Sequence, residues 1–575
     1  MVKQFESVNN GSIRYMWNKL APRVGTAART VRDQVELARV AARMGVRSGL
    51  AFQLTPRGVL ALARARAGGS LGLPSLFRIH AANRPDAIAI IQGDRSISYG
   101  ELDRRIDRLA SALRREHGLR KGDAAILLMH NRPEFVEVQA ALTRLGCSAV
   151  SASYRSTPDE LAYLATHSGA RALFVDPDLA QPVLAARSRL TGIPEGNLFA
   201  IGSESGTMTS YDAIVTRAGP IAGVEDASGE DAAVVVYTSG TTGKPKGAVR
   251  RFPKDAQLGF VQSIAELDLR HDDRHLAVCP LYHTTAFGFA SFTFVLGGTV
   301  VIESKFTPES ALARIEEQRI TTTAMVPTML HRILELPAST RRKYDTRSLR
   351  CVFSGGAPLS GALARSFIEA YGHVLYNFYG ATETGLNTLA TPEELLRSPG
   401  TVGHVVPGNE LRILDDEGHP VSPGTTGELF VRNSMLVSYH RDDDSTRGSM
   451  REGFFSVGDL AHVDEHGLVH LDGRKRDMII SGGVNVYPAE VEEVLAQHPA
   501  VGECAVVGVE DREWGERVRA FVALKEGSHA EPPELVAYCK ERLSGPKVPR
   551  EVRILPELPK NPTGKILKRE LRELA

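Results

Sequence analysis

No apolar run in the sequence approaches the roughly 20 residues that a membrane-spanning helix needs, which argues against a helical membrane protein. The opening residues, Met1-Val2-Lys3-Gln4-Phe5-Glu6-Ser7, lack the apolar core of a secretory signal. Cysteine is scarce. Five occur in 575 residues, at 147, 279, 351, 504 and 539, and no two form a C-x-x-C pair. Such scatter disfavours structural zinc and fits a reducing compartment, so a cytoplasmic protein is expected, with the cysteines as small buried apolar residues rather than nucleophiles. Internal repeats are also absent, which sets aside solenoids and propellers. The chain has almost no net charge, +1, yet the charge is unevenly placed. Residues 1–70 hold twelve Lys and Arg against three Asp and Glu, a net +9, so the rest carries −8.

What is present is enough chain for two or three domains, with the 42% hydrophobic and 24% charged content of a soluble globular protein. The basic excess marks residues 1–72 as a separate extension. From Ala27 to Arg47 it has no proline and a single late glycine, Gly45, which predicts a helix. Arg32, Arg39, Arg43 and Arg47 share one face of that helix, and Val31, Val35, Ala38 and Ala42 share another. Three readings are open for it: docking on an anionic membrane surface, a helix packed on the rest of the protein with its arginines in water, or an organelle-targeting segment.

Beyond the extension, helix and strand signals alternate. Ser75 to Ile91 reads as a helix and then a strand, Gly93-Asp94 as a turn, Ser98 to Leu102 as a helix start, Gly122 to Asn131 as a strand, and Pro133 to Leu145 as a helix; Asp159 to Asp176 repeats the pattern. Alternation at this spacing predicts α/β architecture with mostly parallel sheets flanked by helices. Gly192 to Glu230 reads as polar loop. The chain then reaches Ala232-Ala-Val-Val-Val-Tyr237, a buried-strand composition, which breaks into Thr238-Ser239-Gly240-Thr241-Thr242-Gly243-Lys244-Pro245-Lys246-Gly247. Glycines, hydroxyls and two lysines suit a phosphate, and a triphosphate above all. The loop is neither a P-loop nor a G-x-G-x-x-G turn, and Pro245 blocks a helix where a P-loop helix would begin.

This residue order closely resembles the phosphate loop of the adenylate-forming superfamily, which includes acyl-CoA synthetases, non-ribosomal peptide adenylation domains and luciferases. Further signatures follow in order. Cys279-Pro-Leu-Tyr-His283 resembles the segment whose His sits at the mouth of the acyl pocket, and the Asp that amino-acid-activating members carry nearby is missing. Val352-Phe-Ser-Gly355-Gly356-Ala357 resembles the adenine-pocket turn, and Asn377-Phe-Tyr379-Gly380-Ala-Thr382-Glu383-Thr-Gly385 the second strong signature. The resemblance implies that Tyr379 stacks on adenine, Thr382 binds phosphate, Glu383 and Thr238 hold Mg²⁺, and Gly385 lines the acyl pocket. It also implies that Asp459 accepts the ribose hydroxyls beside Arg474, that Arg476 is the hinge, where many relatives have Asp or Lys, and that Gly482 and Gly483 lie along the pantetheine of CoA. Lys565, in Pro559-Lys-Asn-Pro-Thr-Gly-Lys565, matches the catalytic lysine.

The domain boundaries expected on this basis are 1–72 for the extension, 73–475 for a large nucleotide- and acyl-binding domain, and 476–575 for a small, mobile α/β domain. The implied reaction joins a carboxylate to ATP as an acyl-adenylate and then transfers the acyl group to CoA. His283, the missing Asp and the small residues from Ala286 to Ser291 favour a medium- or long-chain fatty acid as partner. Aryl-CoA ligase and acyl-AMP ligase loading a carrier protein are alternatives, and a lipid-surface protein with a regulatory nucleotide site is a reading from another class. No nucleic-acid partner is expected.

Overall fold

Short runs of β-branched and small apolar residues, each followed by a capped helix, build the core layers. The structure, a computed structural model, describes residues 33–67, 72–202, 207–217, 219, 233–238, 246–250, 256–436, 438–439, 442–481, 484–512, 514–543, 545–560 and 566–574. Helix starts follow local chemistry: Ser98 Oγ accepts the Glu101 amide ahead of the helix Tyr99–Arg115, and Thr157 with Glu160 forms a capping box ahead of Pro158–Ser168.

Among the described residues the strands form three sheets of fifteen, eight and five strands. In the largest, the central strands Thr299–Ile302, Arg274–Ala277, Thr322–Met325, Cys351–Ser354 and Leu375–Ala381 run parallel; from Gly385–Ala390 onward the pairing turns antiparallel. The second sheet is parallel from Leu198–Ala200 through Ala170–Val175, Ala124–Leu128 and Ser148–Ser151 to Val234–Thr238. That last strand turns back antiparallel into Lys246–Arg250, with Thr238 opposite Lys246 and Val234 opposite Arg250. The hairpin fixes both ends of the phosphate-loop stretch, whose residues 239–245 lie outside the described residues. The smallest sheet belongs to the C-terminal part and packs the helix Pro488–Ala496, with Val491 and Leu495 fully buried.

The mixed α/β expectation therefore holds, with a large N-terminal part and a small C-terminal one. Two local expectations do not. The segment read as loop contains the strand Leu198–Ala200 and the helix Tyr211–Arg217, because Leu198, Phe199 and Ile214 supply enough apolar surface to be fully buried beneath its polar residues. In the extension, residues 33–47 are helical, as expected, but the face turned to the body is Leu37, Val40 and Met44. Val35, Ala38 and Ala42 are exposed instead. The helix docks through the Ser48 carbonyl, which accepts the His271 amide at 3.0 Å, and Arg66 Nη2 donates to Gln34 Oε1 at 2.7 Å to tie it to the second extension helix, Pro56–Ala67. Four of the five cysteines are buried and Cys504 is partly so, and burial pushes their thiols up, to about 12 at Cys147, Cys279 and Cys351. Inert packing thiols are the result.

Candidate active site

A cleft of ≈ 2370 Å³ opens at the carboxyl ends of the central parallel strands and extends to residues of the small C-terminal part. Such crevices are the usual ligand sites of open α/β sheets. One part of its wall is the strand Leu375–Ala381 and the turn that follows. Tyr379 is nearly buried there, and its hydroxyl donates to Asp459 Oδ2 at 2.7 Å. Asp459 opens the strand Asp459–Val463, paired in register with Arg474, whose Nε meets Asp459 Oδ1 at 2.8 Å. One carboxylate thus holds a phenol with one oxygen and a guanidinium with the other. Burial, and then the charge of Asp459, hold the Tyr379 hydroxyl well above its usual range, so it stays a donor.

The turn between the strands Leu375–Ala381 and Gly385–Ala390 carries Thr382 and Glu383. It is fixed from several sides: the Thr384 hydroxyl accepts the Ala381 amide at 3.3 Å and donates to Asn387 Oδ1 at 2.6 Å, and Asn433 Nδ2 donates to the Thr384 carbonyl at 2.8 Å. Thr382 and Thr284 hydroxyls lie 3.3 Å apart. Glu383 is a buried carboxylate lining the cleft, a hard oxygen donor of the kind Mg²⁺ takes.

His283 precedes the helix Thr284–Leu296 and lines the same cleft. Its position is set from behind by Asn131, whose Nδ2 donates to the carbonyls of Cys279 at 2.9 Å and Glu303 at 3.1 Å while its Oδ1 accepts the Leu281 amide at 2.7 Å. Among the described residues His283 Nε2 has no hydrogen-bond partner, and burial pushes the imidazole down to about 4, so the ring is neutral near pH 7. Behind it the helix presents Gly288, Phe289 and Phe292 to the cleft, so the stretch read for its small residues is aromatic where it matters.

The cleft gathers His283, Gly356, Ala357, Tyr379, Gly380, Thr382, Glu383, Gly385, Asp459, Arg474 and Arg476 from across the sequence. Gly355 stands apart: its missing Cβ would lie 2.5 Å from the Phe378 ring, so it makes room for packing rather than lining the cleft. Ser239, Gly240, Thr241, Thr242, Gly243, Lys244, Gly482, Gly483 and Lys565 lie outside the described residues, as do the side chains of Thr238 and Lys246. Ile566 and Leu567 line the cleft. Sequence reasoning missed Arg250 and Asn131. The signal for Arg250 was an arginine closing the strand Lys246–Arg250 directly after the phosphate-loop stretch; for Asn131 there was none, because its three partners come from 148 to 172 residues away.

Residues 77–439 match the family described as AMP-binding enzyme, and residues 490–565 match the AMP-binding enzyme C-terminal domain. The chain is 36% identical over 492 residues to a feruloyl-CoA synthase of an Amycolatopsis species, covering 85% of this chain and 96% of that one. To an indoleacetate–CoA ligase of Aromatoleum aromaticum it is 34% identical over 501 residues, covering 86% and 96%. Among solved structures, the anthranilate CoA ligase AuaEII in complex with anthranoyl-AMP is similar with a TM-score of 0.81 at 27% identity, covering 88% of this chain and 98% of that one. With its motifs, its fold and the span of these matches in agreement, this chain belongs to the AMP-binding enzyme family of the adenylate-forming superfamily.

Proposed function

We propose that this protein is an AMP-forming acid–CoA ligase whose acid is an aryl or arylalkyl carboxylate. The observation that carries the reading is the single cleft in which Tyr379, Asp459 and Arg474 meet the Thr382–Glu383 turn and His283. The relatives named above act on aromatic acids, and Phe289 and Phe292 line the cleft, which favours the aryl alternative over the fatty acid. An apolar, aromatic wall holds a flat ring through offset or edge contacts, and the neutral imidazole of His283 adds no charge to repel or attract it.

In the first half-reaction a carboxylate oxygen attacks the α-phosphorus of ATP, giving the acyl-adenylate and pyrophosphate. Asp459 accepts the ribose hydroxyls, its carboxylate already oriented by the Tyr379 hydroxyl and the Arg474 guanidinium. Thr382 and the loop Thr238 to Lys246 bind the phosphates, and Lys565 bridges the carboxylate and the α-phosphate, where negative charge develops. Glu383 and Thr238 would hold Mg²⁺, which when bound neutralises phosphate charge. In the second half-reaction the CoA thiol displaces AMP from the acyl carbon, with Gly482 and Gly483 along the pantetheine arm.

The hinge at Arg476 has local support. On one side Lys475 pairs with Asp416 at 2.8 Å and Glu428 at 3.0 Å of the large part; on the other Asp477 pairs with Arg572 of the C-terminal helix at 2.8 Å. A rotation about residue 476 would leave both pairs intact, a geometry suited to domain rearrangement between half-reactions.

The test is ATP–pyrophosphate exchange across aryl, arylalkyl, fatty and amino acids, with AMP and acyl-CoA measured when CoA is added. Exchange with aromatic acids and CoA-dependent thioester is expected, and Lys565→Ala is expected to lose exchange while still binding ATP. Exchange with fatty acids alone would restore the lipid reading; exchange without thioester would point to a carrier-protein acceptor.

A second reading concerns the extension. Val35 and Val46 on the first helix, Phe52 on the turn Leu50–Gln53, and Val59 and Leu60 on the second helix are 50% to 78% exposed, and the two helices carry Arg39, Arg43, Arg47, Arg57, Arg64 and Arg66. No helix among the described residues is long and apolar enough to cross a membrane. Exposed apolar side chains rimmed by arginines suit a surface of anionic lipid, where each cation contributes about 1 kcal/mol. Sedimentation with phosphatidylglycerol vesicles but not phosphatidylcholine vesicles is expected, and is expected to weaken when Phe52, Val59 and Leu60 become serine. Equal sedimentation with both lipids would remove this reading.

A further inference from the structure

Arg250 closes the strand that follows the phosphate-loop stretch and points into the cleft. Its Nη2 donates to the Thr382 carbonyl at 2.7 Å, and among the described residues its buried Nε has no hydrogen-bond partner and the side chain forms no ion pair within 4.0 Å. Burial pushes the guanidinium down to about 10, against the pull of Glu383, and it remains a cation at neutral pH. Gly385 lies against the fork: a Cβ there would stand 3.9 Å from both Nη1 and Nη2, in van der Waals contact with them, and 3.2 Å from the Met435 methyl.

A desolvated cation whose donors are only partly used is costly unless an anion completes it. The planar fork of arginine matches a carboxylate. The fork matches phosphate as well, but on the proposed reading the nucleotide phosphates already take the loop Thr238 to Lys246 and a divalent cation at Glu383, so the acid is the anion left to answer Arg250. We propose that Arg250 binds a carboxylate of the acid substrate on the Gly385 side of the cleft and so sets which acids are accepted. The inference rests on the adenylation reading above. The carboxylate is either the one activated or a second one on the same acid, and matched substrates separate the two.

The experiment is pyrophosphate exchange by Arg250→Met and Arg250→Lys with an accepted monocarboxylic acid, its dicarboxylic analogue and ATP each varied in turn. A charge-assisted hydrogen bond of this kind corresponds to about a 10- to 100-fold rise in the KM of the acid in Arg250→Met. Arg250→Lys, which keeps the charge but not the fork, is expected to lie between, and the KM of ATP to stay within about twofold in both. A rise for every acid identifies the activated carboxylate, and a rise confined to the dicarboxylic acid identifies a second one. A rise in the KM of ATP alone, or unchanged KM values with a lower melting temperature, would overturn the proposal and leave Arg250 as a support for the Thr382 turn. If Arg250→Met does not fold, Arg250→Lys is judged by the same criterion. Failure of exchange in the unaltered enzyme would instead count against the adenylation reading itself.

Discussion

Asp459 and Tyr379, 80 residues apart in sequence, are joined by a 2.7 Å hydrogen bond in the wall of the cleft. With Arg474 on its other oxygen, the Asp459 carboxylate cannot rotate freely and presents its remaining lone pairs in one direction. Asp459→Asn keeps the shape but weakens every charge-assisted bond at this point. An increase of about 10- to 100-fold in the KM of ATP is expected, with a smaller increase, about 3- to 10-fold, for Tyr379→Phe. Steady-state kinetics with the acid saturating checks both. An unchanged KM for ATP in Asp459→Asn would remove this residue from the nucleotide site.

Gly380 lies near the end of the strand Leu375–Ala381, just before the turn that carries Thr382 and Glu383. A Cβ at this position would lie 2.0 Å from the Gly385 carbonyl oxygen, a contact that backbone must yield to. Gly380→Ala should therefore displace the whole turn, at a cost of about 1–3 kcal/mol or more. Loss of exchange activity is expected together with a lower melting temperature. Gly372→Ala is a control of a different kind: nothing stands within 4 Å of its missing Cβ, and only its positive φ of 84° resists substitution, so a modest stability loss without loss of activity is expected.

Much of this site could be read from sequence because its motifs are local. The turn Tyr379 to Gly385 and the residues Asp459 and Arg474 stand within short contiguous stretches, and the strands that carry them announce themselves by apolar runs. What could not be read depends on distant partners. The docked face of the helix 33–47 is one case: both Val35-Ala38-Ala42 and Leu37-Val40-Met44 are apolar stripes, and only the presence of Ile264, Leu267 and Leu269 beside the second decides between them. Arg250 is another. Its strand position was readable, but its reach to the Thr382 carbonyl, 132 residues on, was not. The segment 192–230 failed for a third reason: its strands are two or three residues long, too short to show an alternation, and their few apolar residues count only once they pair with neighbouring strands and are buried there.

Asn131 makes three hydrogen bonds to backbone groups, two of them, at Cys279 and Leu281, in the segment that leads into His283 and the third at Glu303. Asn131→Ala leaves a buried amide and two carbonyls without partners, each costing about 1–3 kcal/mol. A stability loss on the order of 3 kcal/mol in chemical denaturation is expected. Because the Cys279–Leu281 segment then loses its anchor, the KM of the acid should also rise while that of ATP stays nearly constant. Equal changes in both would mean that the anchor serves the fold generally rather than the acyl side.

Three histidines are held neutral by burial: His80, His275, which is pushed to about 3, and His283, pushed to about 4. In the unfolded chain each titrates near 6.5. Between pH 6.5 and their folded values the unfolded state binds more protons than the native one, so native stability falls as pH falls through this window. The contribution is fully present above pH 6.5, shrinks by about 1.4 kcal/mol per pH unit for each histidine, and levels off below the folded values. Urea denaturation between pH 7.5 and 4.5 should show this slope. His275→Asn, which replaces a buried ring paired with the Thr322 hydroxyl at 3.0 Å, should lower overall stability but make it less dependent on pH by about one proton. Over the same range the KM of the acid should show no inflection near 6.5 from His283, since its ring is already neutral on both sides of that value. A wild-type slope unchanged in His275→Asn would show that His275 is protonated in the folded protein and that its environment is wetter than its burial implies.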